Sequence, residues 1–464
     1  MAHKDLREFI HELERQGELV RVKVEVEKDH EVGAICRKVN DTGGPALLFE
    51  NVRGYAVPLL CNVLGTRKRF AMALGSTEGD FKKLWLQRTG GPLVDSITVP
   101  EGVCQENIIL GNDINLLEKF PIPIWNGLDG GPYITLPVVI SRDPETGIRN
   151  AAMYRMQVHG PNKIGILMAP YRHTDMHRVK AYENNKGLPV AIALGADPVV
   201  VMSALAPLPF GVDELAVAGA LKGEPVKMVQ CKTVDLEVPA AAEIVLEGEI
   251  LRDERIQEGP YGEFTGYYGT VQKRLVIEVK AVTHRDQPIY QGLYNGRPPT
   301  EEHIIRGLPT EIDITQQCPL PGIKELNLTM GGCGAFNCIV SIEKRFEGYG
   351  KMIALALLGT WGARFIKTII VVDDDIDPFD WTQVEWALAI RVQPHRDVEI
   401  IKEVVGCALD PSLPLRERQT GSSRTSKMII DATRYDDADF EIPCSPRADV
   451  MAKVIRDWAR YGIS

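Results

Sequence analysis

The chain is 464 residues long, with 53 Lys and Arg against 63 Asp and Glu, a formal net charge of −10. Its 44% hydrophobic and 25% charged content exclude a disordered or fibrous protein, and the acidic balance argues against nucleic acid or an anionic membrane surface as partner. No run of about 18 apolar residues is present to span a bilayer, and at roughly 150 residues per domain two or three domains are expected.

In chain order, the opening MAHKDLREFIHELERQGELV is charged throughout and lacks the apolar stretch of a signal peptide, so a cytoplasmic protein is expected. Leu6, Phe9, Ile10 and Leu13 share one helical face. Val20, Val22, Val24 and Val26 then alternate with charged residues, the period of a half-buried strand. Further strands are predicted at 46–52 and 55–65, making residues 1–105 a small α+β unit. The stretch KFPIPIWNGLDGGPY (119–133) is too rich in proline for regular structure. Strands follow at 134–141, 149–159 and 163–168, and helices near 174–186 and 212–222. Strands return at 188–194, 226–233, 241–250 and 273–284, so residues 106–300 read as a barrel or tightly curved sheet. From 301 to 464 strands and helices alternate (338–344, 350–359, 367–375, 381–392), a separate α/β domain. Its tail after about 408 reads as loop, with a last helix near 447–461. In the helix 381–392, Trp381, Val384, Leu388 and Ile390 are expected to offer apolar surface, within the subunit or between subunits. The nine cysteines are scattered, and Cys333 and Cys338 lack the second pair of ligands a zinc site needs, so reduced, mostly buried thiols are expected.

Four clusters carry possible chemistry. Glu258 and Glu263 flank Gly-Pro-Tyr-Gly, a bend that can bring two carboxylates into one pocket, where one holds a proton while the other stays charged; two solvated glutamates on a turn are the plainer alternative. Asn150 and Arg155 bracket an apolar strand. Their odd spacing puts them on opposite faces unless a bulge intervenes, and the Arg needs an anion, if only an ordinary salt-bridge partner. His173 and His177 are four apart and would share a helical face suited to a metal, yet no HExxH glutamate accompanies them, and His177 suits packing equally well. Asp213 suits a helix N-cap, and Glu214 either complements the helix dipole or faces a cation. GxGxxG, GxxxxGK[ST] and GxSxG patterns are absent.

Taken together, NAAMYRMQV, APYRHTDMH, PLPFGVDELAVAGALKGEPV, VPAAAEIVLEGEI with EGPYGEFTGYYG, IIVVDDDIDPFDW and TSKMIIDAT resemble the UbiD family of reversible decarboxylases over nearly the whole chain. The resemblance implies an α/β (α+β) fold, with a split-barrel domain binding prenylated FMN at the centre and a C-terminal α/β domain for oligomerisation. It implies a Glu–Arg–Glu catalytic network of Glu258, Arg155 and Glu263. Asn150, His173 and Glu214 match the ligands of a divalent metal, Mn²⁺ or Mg²⁺, that holds the flavin phosphate. Ser203–Ala206, with Glu214, matches a K⁺ site. Ala152, Met153, Arg155 and Arg172 would line the flavin, and Lys367 would add a phosphate contact. Arg172 stands where some members carry Gln. The implied reaction forms a covalent flavin–substrate adduct with an aromatic, heteroaromatic or α,β-unsaturated acid. CO2 then leaves and Glu263 protonates the carbon. The stretch 295–307 would wall the substrate with Glu302, His303 and Arg306, favouring an acid with a second polar or anionic group, of furan-dicarboxylate or hydroxybenzoate type. Expected partners are a flavin prenyltransferase and further copies of the chain, as dimer or hexamer. Two rivals are weighed beside this reading: a metal-dependent hydrolase using His173, Asp175 and His177, and a non-catalytic flavin-binding protein of the same fold.

Overall fold

The computed structural model describes residues 3–420, 423–435 and 444–462; helices and strands are mixed along the chain. The helix Leu6–Arg15 starts at Asp5, whose side chain accepts from the Glu8 amide, and it buries Leu6, Phe9, Ile10 and Leu13. The valine alternation that follows is corrected. The strand covers only Leu19–Val22 at the edge of a four-stranded sheet. Val20 and Val24 are 47% and 70% exposed, while Leu19 and Val26 are buried. The strand has Ala46–Phe49 as its one partner; pairing lapses after Val22, leaving Val24 in solvent, and returns as a single bridge from Val26 to Val52, where Val26 joins the core. The same sheet takes in Tyr290–Gln291, which pairs with Leu59–Cys61, so the N-terminal unit is tied to the end of the middle one.

The middle of the chain forms a nine-stranded sheet. Its path runs Tyr133–Ile134, Met156–Val158, Lys163–Ile166, Gln272–His284, Ile244–Glu258, Leu188–Leu194, Val138–Arg142, Arg149–Ala152, with Asn107–Leu110 added on Gln272–His284. The ends of this path are not paired with each other, so no barrel is closed. The expected strand 149–159 is in fact two strands, separated by Met153, Tyr154 and Arg155. One lies at the far end of the path and the other next to the near end. Four Cα steps reach about 15 Å at most, so the sheet has to curl until its ends almost meet. Bulges between Glu247 and Gly248 and between Ile250 and Arg255 provide the bending. The three linking residues lie in the resulting seam.

The C-terminal sheet is ordered Ile323–Leu328, Asn337–Ile342, Thr368–Asp373, Arg424–Ala432, Val398–Val405. Here the expectation of a loop-rich tail is corrected. Arg424–Ala432 is an inner strand, parallel to Thr368–Asp373 and antiparallel to Val398–Val405, because pairing on both sides outweighs the polar Ser and Thr at its start. Of the helix Trp381–Arg391, Trp381 and Ile390 are exposed, but Val384 is buried in a cluster with Ile339, Ile370 and Val372, against which Leu388 packs. Val384 is therefore not outer surface. The helix Glu301–Gln317 joins the units: Glu301 accepts from the Leu64 amide at 2.6 Å, and Glu311 meets Lys82 at 2.9 Å and the Leu328 amide at 3.0 Å. The helix Ala448–Arg456 buries none of its residues, and its Val450, Met451 and Ile455 are exposed. No helix among the described residues is long and apolar enough to cross a membrane.

Candidate active site

Arg155 leaves the seam with its side chain only 8% exposed. The strand break takes it out of the alternation begun at Asn150, so parity no longer sets its direction. Its guanidinium grips Glu258 twice, Nε to Oε1 at 3.1 Å and Nη2 to Oε2 at 3.3 Å, and donates Nη1 to Glu263 Oε1. It also lies over the Tyr261 ring, 4.9 Å from the centroid. Glu258 ends the long strand Ile244–Glu258. The chain then reverses through Gly259, at φ +101, a backbone region that side chains with a Cβ rarely adopt. A Glu263–Tyr267 turn follows, the Glu263 amide bonding the Tyr267 carbonyl at 3.0 Å. The two carboxylates, five residues apart, thus converge on one cation.

Both acids are buried, Glu258 fully and Glu263 at 4% exposure, which excludes the solvated turn. Burial pushes the Glu263 carboxyl up to about 7 against the pull of Arg155, with Glu258 and Glu302 adding to the rise. Near neutral pH, Glu263 therefore exchanges between acid and carboxylate. Burial alone would lower Arg155, but Glu263 and Glu258 outweigh it and raise it further.

Three residues that the sequence reading passed over complete the cluster. Tyr133 donates its hydroxyl to Glu258 Oε1 at 3.0 Å, and its ring packs on Tyr261 at 4.5 Å. Gln157 Oε1 accepts from the Gly259 amide at 2.9 Å and lies 3.2 Å from the Tyr133 hydroxyl. Arg274 Nε stands 3.8 Å from Glu258 Oε2. Gln157 is a polar residue between apolar ones and Arg274 follows Gln272 and Lys273 at the start of a mixed strand, signals too common to single them out.

A second cluster is built on the strand Arg149–Ala152, just before the break. The Ala151 amide donates to Glu214 Oε2 at 2.7 Å, and Glu214 opens the helix Glu214–Lys222, whose cap is Asp213. Glu214 Oε1 is 3.7 Å from His173 Nδ1, and His173 is the first residue of the helix His173–Glu183. Asn150 donates Nδ2 to Thr174 Oγ1 at 3.4 Å, while its Oδ1 is buried with no partner. An orphaned amide oxygen, an imidazole nitrogen and a carboxylate oxygen make a donor set suited to a hard divalent cation. No group of three His, Cys, Asp or Glu placed to hold a metal occurs among the described residues, so the amide oxygen of Asn150 is what would complete this donor set.

The hydrolase constellation does not assemble. His177 is buried, with Nδ1 3.0 Å from Ser141 Oγ, and burial pushes it down to about 4; Asp175 is held by Arg178 at 2.7 Å. The remaining residues are placed as follows. Ala152 is buried, and Met153 follows it in the seam. Arg172 lies over the Tyr154 ring at 5.8 Å. The Ser203 carbonyl accepts from the Ala206 amide at 3.1 Å. The Lys367 ammonium is engaged by Asp410 at 2.8 Å and Ser412 at 2.9 Å, so a phosphate there would compete with a carboxylate. His303 uses both ring nitrogens, Nε2 with the Phe264 carbonyl at 2.7 Å and Nδ1 with Thr300 at 2.9 Å; it ties down the residue after Glu263 and leaves no nitrogen for a substrate. Arg306 pairs with Glu302 and stacks over Phe264 at 4.2 Å.

Comparison with known proteins agrees along the whole length. Profiles of the 3-octaprenyl-4-hydroxybenzoate carboxy-lyase (UbiD) family match its N-terminal domain to residues 10–87, its Rift-related domain to 97–298 and its C-terminal domain to 303–432. The phenolic acid decarboxylase of Bacillus subtilis (strain 168) is 38% identical over 450 residues, 93% of each protein. An evolved dimeric form of the UbiD-class enzyme HmfF from Pelotomaculum thermopropionicum, in complex with prFMN, superimposes at TM-score 0.86, with 38% identity over 97% of this chain and 98% of that one. The closed form of Sedimentibacter hydroxybenzoicus vanillic acid decarboxylase does so at 0.88, with 34% identity over the whole of both chains.

Proposed function

The chain belongs to the UbiD family of carboxy-lyases, and we propose that it decarboxylates an aromatic, heteroaromatic or α,β-unsaturated acid with prenylated FMN as cofactor. The observation that carries this reading is the buried Glu258–Arg155–Glu263 cluster, in which one carboxyl is poised to hold a proton near neutral pH.

Asn150 Oδ1, His173 and Glu214 would hold a Mn²⁺ or Mg²⁺ ion, and Ser203–Ala206 with Glu214 a K⁺, which would supply positive charge for the cofactor's phosphate. Ala152, Met153, Arg155 and Arg172 would line the flavin. Bound there, the cofactor supplies the electron sink that decarboxylation requires. The chain's own part is acid–base. As the bond to CO2 breaks, its electron pair is left behind rather than leaving with CO2, and it forms the new bond to hydrogen at that carbon. Glu263 gives that carbon its proton, becomes a carboxylate beside Arg155 and regains a proton from solvent. Arg155 holds both carboxylates in register throughout, and burial keeps water from competing as donor. CO2 addition reverses the same steps, so Glu263 then acts as the base.

For the substrate we propose a phenolic, hydroxybenzoate-type acid. The Glu302–Arg306 pair offers an acceptor beside a donor, which suits a neutral hydroxyl, whereas a second carboxylate would have to displace Glu302. The B. subtilis relative, a phenolic acid decarboxylase, supports the same choice. Full activity of Arg306→Ala on every hydroxybenzoate tested would refute it. A flavin prenyltransferase would supply the cofactor. Trp381, Trp386 and Ile390, all exposed, suit a homo-oligomeric contact.

The deciding experiment expresses the chain with and without a flavin prenyltransferase, recording the visible spectrum and CO2 release from a panel of acids. Coloured protein that releases CO2 only after co-expression, and loses release but not colour in Glu263→Gln, is the expected result. A colourless, inert protein in both arms overturns the proposal; coloured but inert protein returns it to a non-catalytic flavin binder.

A further inference from the structure

Arg274 lies on the strand Gln272–His284, opposite Ile256. Its side chain is 24% exposed, yet its Nε is buried without a hydrogen-bond partner and stands 3.8 Å from Glu258 Oε2. Burying a guanidinium nitrogen unpaired is costly unless charge repays it. The strand could have carried an apolar residue here, as its neighbours Leu275 and Val276 do.

Counting charge around Glu263 shows what the cation does. The groups that face Glu263 are Arg155, Glu258 and Glu302, with Arg274, Arg306, Tyr261 and Cys407. Tyr261 and Cys407 are both raised by burial and stay neutral. Arg306 and Glu302 are paired with each other. Arg155, Arg274, Glu258 and Glu263 remain. With Glu263 protonated this set carries one net positive charge, and once the proton is delivered it is neutral. Without Arg274 the same step would start neutral and end with an uncompensated negative charge in a buried pocket.

We propose that Arg274 is a positioning residue, the second counter-cation of the carboxylate pair, which lets Glu263 give up its proton without leaving net negative charge buried. It acts through the electrostatics of the pair rather than on substrate or cofactor, and Tyr133 holds Glu258 Oε1 so that Oε2 faces Arg274. The inference rests on the proposed role of Glu263 as proton donor and deepens it.

The test titrates Glu263 directly in cofactor-free protein. The carboxylic-acid C=O band is followed by difference infrared spectroscopy and assigned by its absence in Glu263→Gln. Arg274→Gln should move the Glu263 midpoint upward by at most about one pH unit, the low end of the effect of an opposite charge in direct reach, because Arg274 touches Glu258 and acts on Glu263 from behind it. In the loaded enzyme the alkaline limb of kcat/KM should move with it, and Arg274→Lys should restore both. A purely packing role would lower rates equally at all pH, so an unmoved midpoint in folded Arg274→Gln overturns the inference. Should Arg274→Gln fail to fold, Arg274→Lys decides: a wild-type midpoint with retained activity supports the inference, and a wild-type midpoint with activity lost overturns it. If wild-type protein loaded with cofactor releases no CO2, the proposed function fails, while the infrared titration still reports on Arg274.

Discussion

Replacing Glu263 with Gln should cost activity and add stability, and the gain should depend on pH. Glu263 titrates at about 7 in the fold, against an ordinary value of 4.5. Between these values the native state holds the proton more tightly than the unfolded chain, so stability is full below pH 4.5 and falls as pH rises to about 7. At 1.36 kcal/mol per unit, the 2.5-unit gap corresponds to about 3 kcal/mol by pH 8. In Glu263→Gln that loss is absent, while the amide oxygen still accepts from Arg155. The difference in melting temperature, variant minus wild type, should therefore be near zero or negative at pH 5 and rise by several degrees at pH 8, taking roughly 2 °C per kcal/mol for a cooperative unit of about 200 residues. Groups away from this site contribute equally in both proteins and cancel in the difference. Differential scanning fluorimetry across this pH range measures the difference. One that stays flat from pH 5 to 8 refutes a buried, proton-holding Glu263.

Asn150→Ala and Glu214→Gln should each weaken Mn²⁺ binding at least tenfold by titration calorimetry, while His177→Gln leaves it unchanged; equal loss in His177→Gln would restore the two-histidine site. The same His177→Gln should remove an acid sensitivity. Histidine is held down to about 4 from 6.5, so its contribution is present above pH 6.5 and lost as pH falls to about 4, roughly 3 kcal/mol in all, visible as a wild-type melting temperature that drops faster on acidification. Arg391→Ala should destabilise the C-terminal domain by about 3 kcal/mol without touching cofactor or metal binding, because it removes the buried partner that meets Asp373 and Asp375 at 2.9 Å each and leaves them only Arg434, 3.6 and 3.7 Å away; denaturant unfolding followed by tryptophan fluorescence reads the loss.

Elements whose apolar residues repeat within the element itself were legible from the chain alone. The helix Leu6–Arg15, the cap at Asp213 and the alternation of Asn337–Ile342, Tyr349–Leu358 and Thr368–Asp373 follow from spacing that any neighbour would satisfy. The strand Arg424–Ala432 was hidden because its stability comes from partners on both sides, and Val20 misled because the face of this edge strand that meets the core is that of Leu19. Lys367 and His303 have the right chemistry for a phosphate and a substrate, but Asp410 and Phe264 engage them first.

The sequence by itself determined the family, through ordered motifs, and so named the acids, the guanidinium and the three metal-suited residues. It could not decide that they meet. Glu258, Glu263 and Arg274 meet through the antiparallel pairing of Ile244–Glu258 with Gln272–His284 and the loop between them, and Arg155 reaches them from the strand break at 153–155, which takes it out of the alternation begun at Asn150. Nor could spacing supply the proton on Glu263 or the need for Arg274. Desolvation and Coulomb energy depend on distance through the folded interior and on the water excluded there, and neither quantity exists until the strands have closed over the pair.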